Sequence, residues 1–527
     1  MIPITNNPLG SSDDSFVFEV SIPTSSTQFI LPLISRSEYN YSFTVSWGDG
    51  TSNKVLSAID PNARHIYAIA GKYRIRIRGK CEGFSFSTNR DSALYLSKIV
   101  DFGFISVKKI DFAGCTNITD DIPSPRPNSF ANVSSMDNFL SGLGRMMQYS
   151  SLPVEIFESA INCNSFENAL ACCPLTTIPC IFRKNIFASS FKGCFLNSKL
   201  VSVSPDLFRY NTKVTNFAQV FNECVDLLSV PENIFYYNID VIDFSSSFCN
   251  CKSITNIGQI FRNNSKVIKI TSCFNGCVKL TTIHSDLFSS CTEIESFAGI
   301  FYNCNSLSNI PIGLFSKNTK VTSFEGTFYG CAVTTVDVDM FRYNTQTNSF
   351  KYTFSRSSIQ SIPNDLFRYN ILVTNFSGVF SSTIIEAVPE DLFKYNTMVL
   401  DFSQVFSSCT GLRYLGSVFK YNLNVKTFNQ ALAGSSCTIP DDLFQNNTEV
   451  EDFSYLFYNA DRRVAIPKSL FDNCLKVKFF DFLYYGNWAL PGEAPELWNR
   501  IPLPSGNKAF YSCSKLINFA SIPTTWK

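Results

Sequence analysis

Two histidines, a few cysteine pairs and one acidic turn are the places where this 527-residue chain could do bond-making chemistry. His65 lies in His65-Ile-Tyr67 and His284 in Thr282-Ile-His284. Neither recurs with a Ser or Cys nucleophile, so the spacing assembles no activated-nucleophile set. Cys172-Cys173 and Cys249-Asn-Cys251 approach metal-ligand spacing but lack the second pair that a zinc site needs. Asp49, in Trp47-Gly-Asp-Gly50, is one carboxylate, too few for a hard cation, and aspartate commonly stabilises such turns by itself. There is no P-loop and no dinucleotide fingerprint. The expectation is a chain with no enzymatic activity, no metal and no cofactor.

Two rows of polar residues recur instead. Asn185, Asn211, Asn238, Asn264, Asn318, Asn344, Asn370, Asn396, Asn422 and Asn447 each stand third after a phenylalanine, with Ala160, Cys291 and Cys474 in the same place elsewhere. Such amides could bind sugar, or could bond main-chain groups at a bend and so satisfy buried polar atoms. Cysteine in two positions favours the structural ladder. Just before the asparagines run Arg209-Tyr210, Arg342-Tyr343, Arg368-Tyr369, Lys394-Tyr395 and Lys420-Tyr421, with Tyr236-Tyr237 as a variant. Stacked at one height, these pairs would form a stripe of rings and cations. Tyr and Arg anchor interfaces and stack on sugars or other rings. The bland alternative is a solvated edge with snorkelling stems.

What must position both rows is a period. Thirteen phenylalanines, Phe157, Phe182, Phe208, Phe235, Phe261, Phe288, Phe315, Phe341, Phe367, Phe393, Phe419, Phe444 and Phe471, recur at a nearly constant interval. The repeat length is about 26 residues, a period that marks a solenoid, in which each unit buries its apolar face only against its neighbours. In the unit from Val203 to Leu227, the i, i+4, i+7 spacing of Phe217, Phe221 and Cys224 predicts a short helix. Leu227 to Val230 reads as a brief strand stopped by Pro231. The expected fold is an α/β solenoid of parallel strands, preceded by a small all-β, sandwich-like domain.

Composition narrows the partners. Lys and Arg number 44 against 43 Asp and Glu, so bulk charge favours neither nucleic acid nor an acidic membrane surface. No apolar run approaches the length that crossing a bilayer takes, so no membrane insertion is expected. The start, Met1-Ile-Pro-Ile-Thr, has neither a basic nor an apolar signal region, so no secretory signal is expected. Of the 19 cysteines, Cys173, Cys224, Cys251, Cys277, Cys304, Cys331 and Cys409 each follow a marker phenylalanine at the same offset, and Ser357 and Thr383 take that place in two units. A column open to Cys, Ser or Thr wants a small buried side chain rather than a disulfide partner. Packed thiols suit folding in a reducing cytosol.

Along the chain, residues 1–14 read as a polar leader and 15–80 as the β domain. Residues 81–150 read as degenerate capping repeats, 151–487 as regular repeats and 488–527 as a partial repeat with a proline-rich cap. The turn Trp47-Gly-Asp-Gly50, followed by His65-Ile-Tyr67 and Gly71-Lys-Tyr73, resembles the polycystic-kidney-disease-type (PKD-like) β-sandwich across the β domain. The repeats, with Phe221/Cys224/Leu227, Phe301/Cys304/Leu307-x-x-Ile310-Pro311 and Phe406/Cys409/Leu412, resemble the BspA-like leucine-rich repeat surface proteins through the regular part of the array. That resemblance implies adhesion at a cell or virion surface and fixes no ligand. The expected function is a virion structural or adhesion protein, a bacteriophage head or tail fibre or decoration. Its β domain would dock on other virion proteins, and its solenoid would meet a host-surface glycan or protein. A bacterial cell-surface adhesin and an intracellular interaction scaffold are the alternatives.

Overall fold

The computed structural model describes residues 14–118, 120–142, 152–461 and 463–527. Most of the expected leader, and the end of the expected capping segment, lie outside the described residues. The chain divides into two compact units. The first is Met1–Leu227 with Asn233–Val241, the second Leu228–Glu232 with Ile242–Lys527.

In the first unit, alternation builds a sheet. Strand β1 (Phe16–Ile22) buries Phe16, Phe18, Val20 and Ile22. Next come β2 (Thr27–Ile30), β3 (Tyr41–Ser46), β4 (Ser52–Val55), β5 (Arg64–Tyr67), β6 (Gly71–Cys81), β7 (Gly83–Ser85), β8 (Leu96–Asp101) and β9 (Lys109–Asp111). Five of them form a sheet in the order β4-β3-β6-β1-β8, while β2 pairs with β5 and β7 with β9. Rings from β1 meet the smaller ladders, Phe18 lying 6.4 Å from Phe29 and Phe16 lying 5.2 Å from Phe84. The expected boundary at residue 80 falls inside this domain, because β8 pairs antiparallel with β1.

The β domain also runs into the coils without a break in its core. Phe16 lies 6.2 Å from Phe112, Phe112 lies 5.7 Å from Phe139, and Phe139 lies 5.6 Å from the first marker, Phe157. Lys109 of β9 starts a series of single parallel bridges through Ser135, Ser165, Ser190 and Asn216. The first coil is therefore covered by a sheet that shares its aromatic core, as an open solenoid end requires.

The coils contain no α-helix among the described residues, which corrects the helical reading of Phe217, Phe221 and Cys224. The cause lies in where the amides donate. In one coil of the second unit, the N–H groups of Phe350, Tyr352, Phe354 and Arg356 donate to Asn375, Ser377, Val379 and Ser381 of the next coil, at 3.0, 2.8, 3.0 and 2.8 Å. The N–H groups between them, from Thr353, Ser355 and Ser357, donate back to Phe350, Tyr352 and Phe354 at 3.1, 3.2 and 3.1 Å. An α-helix would keep every donor inside its own coil. Here alternate donors hold the stack together. Left-handed residues every fourth place, Tyr352 (φ 53°) and Arg356 (φ 56°) in this coil and Gln219 (φ 60°) and Glu223 (φ 62°) in the first unit, reset the chain direction after each turn. Every fourth side chain therefore still points inward, which is the periodicity that mimics a helix. Among the described residues, the regular strands of the coils are two-residue parallel pairs such as Asn256–Ile257 with Thr282–Ile283.

Phenylalanine fills the interior in columns. The marker rings are fully buried, and Phe208 stacks on Phe235 at 6.1 Å and 11°, as Phe261 does on Phe288 at 6.3 Å and 18°. Each marker wedges between rings of a second column: Phe341 lies 4.7 Å from both Phe324 and Phe350. Parallel-offset and tilted contacts of this kind add to simple area burial.

Candidate binding surface

Two ladders of hydrogen-bond donors hold the coils in register. In the first, each asparagine amide reaches back one coil and donates twice. Asn344 Nδ2 lies 3.1 Å from the Phe315 carbonyl and 2.9 Å from the Asn318 carbonyl. Asn370, Asn396, Asn422 and Asn447 repeat this in the second unit, and Asn211 and Asn238 do so in the first. These side chains are completely buried, as is Asn264, so they are closed to a sugar. The ladder uses only the donor end. The Oδ1 atoms of Asn318, Asn344, Asn370, Asn396 and Asn422 are buried without a partner. A thiol can donate but leaves no orphan acceptor, which explains Cys291 and Cys474, whose Sγ atoms face the carbonyls of Phe261 and Phe444 at 3.8 and 3.6 Å.

The cysteine column is the second ladder. Cys304, Cys331 and Cys409 donate to the carbonyls of Phe274, Phe301 and Phe380, each at 3.1 Å. Ser435 and Asn487 take the same role at 2.7 Å from Phe406 and Phe457. Ser357 and Thr383 instead donate within their own coil, to Phe354 and Phe380 at 2.7 Å, and the buried Ala460 takes the place with no donor. All 19 cysteines carry thiols, with no disulfide among the described residues. Burial pushes the thiols of Cys224, Cys291, Cys331 and Cys474 up to about 12.

Outside the ladders lies the basic and aromatic stripe. In the first unit, the Arg209 guanidinium lies 5.9 Å from the ring centre of its own Tyr210 and 5.2 Å from Tyr237 of the next coil. In the second, Arg342 lies 5.9 Å from Tyr343 and 5.2 Å from Tyr369, and Arg368 lies 5.8 Å from Tyr369 and 5.3 Å from Tyr395. Lys394 bridges Tyr395 and Tyr421 at 5.9 and 5.6 Å, and Lys420 closes the row 5.1 Å from Tyr421. Each cation thus lies between its own ring and the next. The rings stay exposed, from 36% at Tyr421 to 52% at Tyr343. Each cation also has an acid three residues earlier: Asp206, Asp339, Asp365 and Asp391 stand 3.3, 3.5, 3.8 and 3.5 Å from Arg209, Arg342, Arg368 and Lys394. Lys420 takes Glu390 at 2.7 Å, and that bond raises its pKa. Exposed pairs of this kind contribute little to stability. They orient the rings and cancel the charge, leaving a flat aromatic surface with polar edges.

The hairpin residues Trp47, Asp49, His65, Tyr67 and Tyr73 converge in the β domain. His65 stacks on Trp47 at 4.9 Å and 12°, and its Nε2 stands 2.7 Å from Asp49 Oδ2. Asp49 also accepts from the Thr51 amide and hydroxyl at 3.0 and 2.6 Å. Burial raises the Asp49 pKa, but the Thr51 and His65 bonds outweigh it and leave the carboxyl below its usual range. Tyr67 donates to the Trp47 carbonyl at 2.8 Å. The cluster pins the turn. Among the described residues no three His, Cys, Asp or Glu side chains gather as a metal site would, and no helix is long and apolar enough to cross a membrane.

Sequence reasoning missed Arg500. Two residues past Trp498, it supplies guanidinium donors to the Cys474 and Phe471 carbonyls at 2.8 and 2.6 Å, continuing the asparagine ladder's donor role one coil further. Burial lowers its pKa. It breaks the asparagine phase by one place, so no period search would find it. Also missed was a groove around Tyr302, Tyr329 and Arg356.

No protein-family profile and no curated protein matches the chain. Among solved structures it is similar to a chain of the Drosophila Toll–Spatzle complex, with 15% identity over 72% of this chain and 49% of that one, at a TM-score of 0.43. It is also similar to a leucine-rich repeat protein from Bacteroides ovatus, with 14% identity over 81% of this chain and 82% of that one, at a TM-score of 0.32. The chain spans about half the length of the Toll chains it matches, 49% and 47% in two structures.

Proposed function

We propose that this chain is a non-enzymatic binding protein whose Arg/Lys–Tyr stripe meets a host-surface glycan or protein. Its β domain docks on other virion proteins of a bacteriophage head or tail fibre or decoration. One observation carries the reading: exposed tyrosines stand in four successive coils of the second unit, Tyr343, Tyr369, Tyr395 and Tyr421, and in two of the first, Tyr210 and Tyr237, each beside a cation whose charge an acid cancels. Tyrosine offers large contact area with few rotatable bonds, so ordering it costs little entropy. Several rungs in register add through avidity against a repeating array. The 19 thiols suit a protein folded in a reducing cytosol, as virion components are. The β domain resembles the PKD-like sandwich, and the coils resemble the BspA-like leucine-rich repeat surface proteins.

Antibody labelling of purified particles tests the virion placement, and label confined to the soluble fraction refutes it. Changing Tyr343, Tyr369 and Tyr395 to serine tests the stripe. The triple variant should enter particles normally and attach weakly to cells, whereas normal attachment would reduce the stripe to a solvated edge.

A further inference from the structure

We infer that a groove of the second unit, walled by Tyr302, Tyr329, Tyr352, Arg356 and Gln404, binds an oligosaccharide that carries an acid group. The groove holds about 540 Å³ and draws its lining from the laddered arcs of successive coils, not from the stripe. It therefore goes beyond the function proposed above and does not depend on it.

Glycine opens the floor. Gly299 (φ 62°), Gly326 (φ 58°) and Gly378 (φ 61°) occupy the left-handed place that Gln404, Gln430, Tyr455 and Phe482 fill with side chains in later coils. A Cβ on Gly326 would stand 3.2 Å from Cδ2 of Tyr302, and one on Gly378 would collide with the Tyr352 ring at 2.1 Å. The Tyr302 and Tyr352 rings thus lie across bare backbone at Gly326 and Gly378, and a side chain at either place would push on the ring above it.

The walls are flat and held in place. Tyr302 and Tyr329 stack at 4.2 Å with their planes 2° apart. The Arg356 guanidinium lies 5.7 Å from the Tyr329 ring centre. Tyr352 donates its hydroxyl to Gln404 Oε1 at 2.9 Å, and Gln404 Nε2 donates to Gln430 Oε1 at 2.9 Å, fixing which amide atoms face the groove. Flat rings beside oriented amides and serine hydroxyls match the faces and edges of a pyranose, and a pocket of this size suits a small ligand.

Charge supplies the acid. Every cation of the stripe has a carboxylate partner, but Arg356 has none among the described residues. The groove's own acid, Glu325, is paired with Lys351 at 3.5 Å. One exposed guanidinium is therefore left over, with its bidentate fork open to a carboxylate or sulfate.

The test uses the full chain on an immobilised panel of sialylated, uronate-bearing and sulfated oligosaccharides, each with its neutral counterpart. The wild type should retain acid-bearing glycans over the neutral ones. Arg356→Gln, at an exposed position, should weaken that binding about tenfold or more. Arg413→Gln, at an exposed position outside both the groove and the stripe, should leave it unchanged. No retained acid-bearing glycan, equal retention of the neutral counterparts, or full binding by Arg356→Gln would each overturn the proposal. Binding lost in the serine triple variant of Tyr343, Tyr369 and Tyr395 and kept in Arg356→Gln would assign the glycan to the stripe and overturn the groove.

Discussion

Asn344 separates what the ladder needs from what it merely tolerates. Its Nδ2 makes two bonds, to the carbonyls of Phe315 and Asn318, but both carbonyls also accept a backbone N–H, from Asn318 and Val321. Removing the amide therefore weakens two acceptors without orphaning them, a loss of roughly 1–3 kcal/mol at about 0.5–1.5 per net bond. The Oδ1 is buried without a partner, so deleting it returns part of that loss. Asn344→Ala should cost about 1–2 kcal/mol once the small void is included. Asn344→Cys keeps a donor and adds no orphan, so it should stay within about 1 kcal/mol of wild type. Asn344→Asp is nearly isosteric, yet it aims two acceptors at two carbonyls in a site with no solvent access. An unpaired buried charge there should cost roughly 3–5 kcal/mol at neutral pH. Burial raises the folded pKa of that aspartate above the unfolded value near 3.9, so the unfolded chain ionises first as pH rises. The variant's deficit relative to wild type should therefore be smallest at or below about pH 4 and grow as pH climbs toward neutrality. Urea titration followed by circular dichroism, at pH 4 and pH 7, measures the order through the midpoint at constant slope. An aspartate variant no worse than alanine at pH 7, or a cysteine variant as poor as aspartate, would refute a one-sided donor ladder.

Three other outcomes are expected. Phe315→Ala removes a fully buried ring lying 4.7 Å from Phe297 and 5.0 Å from Phe324, and should cost about 3–5 kcal/mol in the same titration. In native protein at pH 8, a thiol reagent should reach the partly exposed Cys172, Cys180 and Cys249 and spare the buried ladder, while denatured protein should titrate near all 19. Because folded thiols such as Cys291 and Cys331 are held up to about 12, the unfolded chain should lose those protons first. Stability should then fall as pH rises from about 9, and a flat alkaline profile would contradict the burial. Arg500→Leu removes the last donors of the ladder and should loosen the final coil, seen as faster amide exchange at Trp498 and Phe510 than in the central coils.

What the sequence discloses here depends on how periodic the physics is. The marker phenylalanines share one environment in every coil, so their phase alone reads as a column. The spacing of Phe217, Phe221 and Cys224 was less transparent, because two physical arrangements give the same inward rhythm. A helix turns every 3.6 residues, whereas a chain reset by a left-handed residue every fourth place turns every four. The discriminating signal was present in the left-handed positions themselves. Gly193, Gly276, Gly299, Gly326, Gly330 and Gly378 fall there, in company with asparagines such as Asn168, Asn197 and Asn303, and both residue types tolerate positive φ. Gly326 and Gly330, four residues apart, argue against a helix in their coil, since glycine costs about 1 kcal/mol in a helix interior.

The candidate surfaces divide along the same line. The stripe is periodic, so its members could be named from spacing, although the bridging of each cation between two rings depends on the rise between coils. The groove is the opposite case. It exists where the repeat varies, at glycines whose place Gln404 and Gln430 fill in later coils, and at Arg356, whose place Ser382 and Ser408 take in the coils that follow. A period search discards such departures as degeneracy. In a stacked protein, however, the regular positions are already committed to holding neighbouring coils together. Asn344 and Cys331 cannot bind anything else without letting go of the preceding coil. Selectivity for a ligand must then come from positions where register does not require a particular side chain. Arg356 and the tyrosines over Gly326 and Gly378 are of that kind, which is why the departures from the repeat, more than the repeat itself, locate the specific chemistry of this surface.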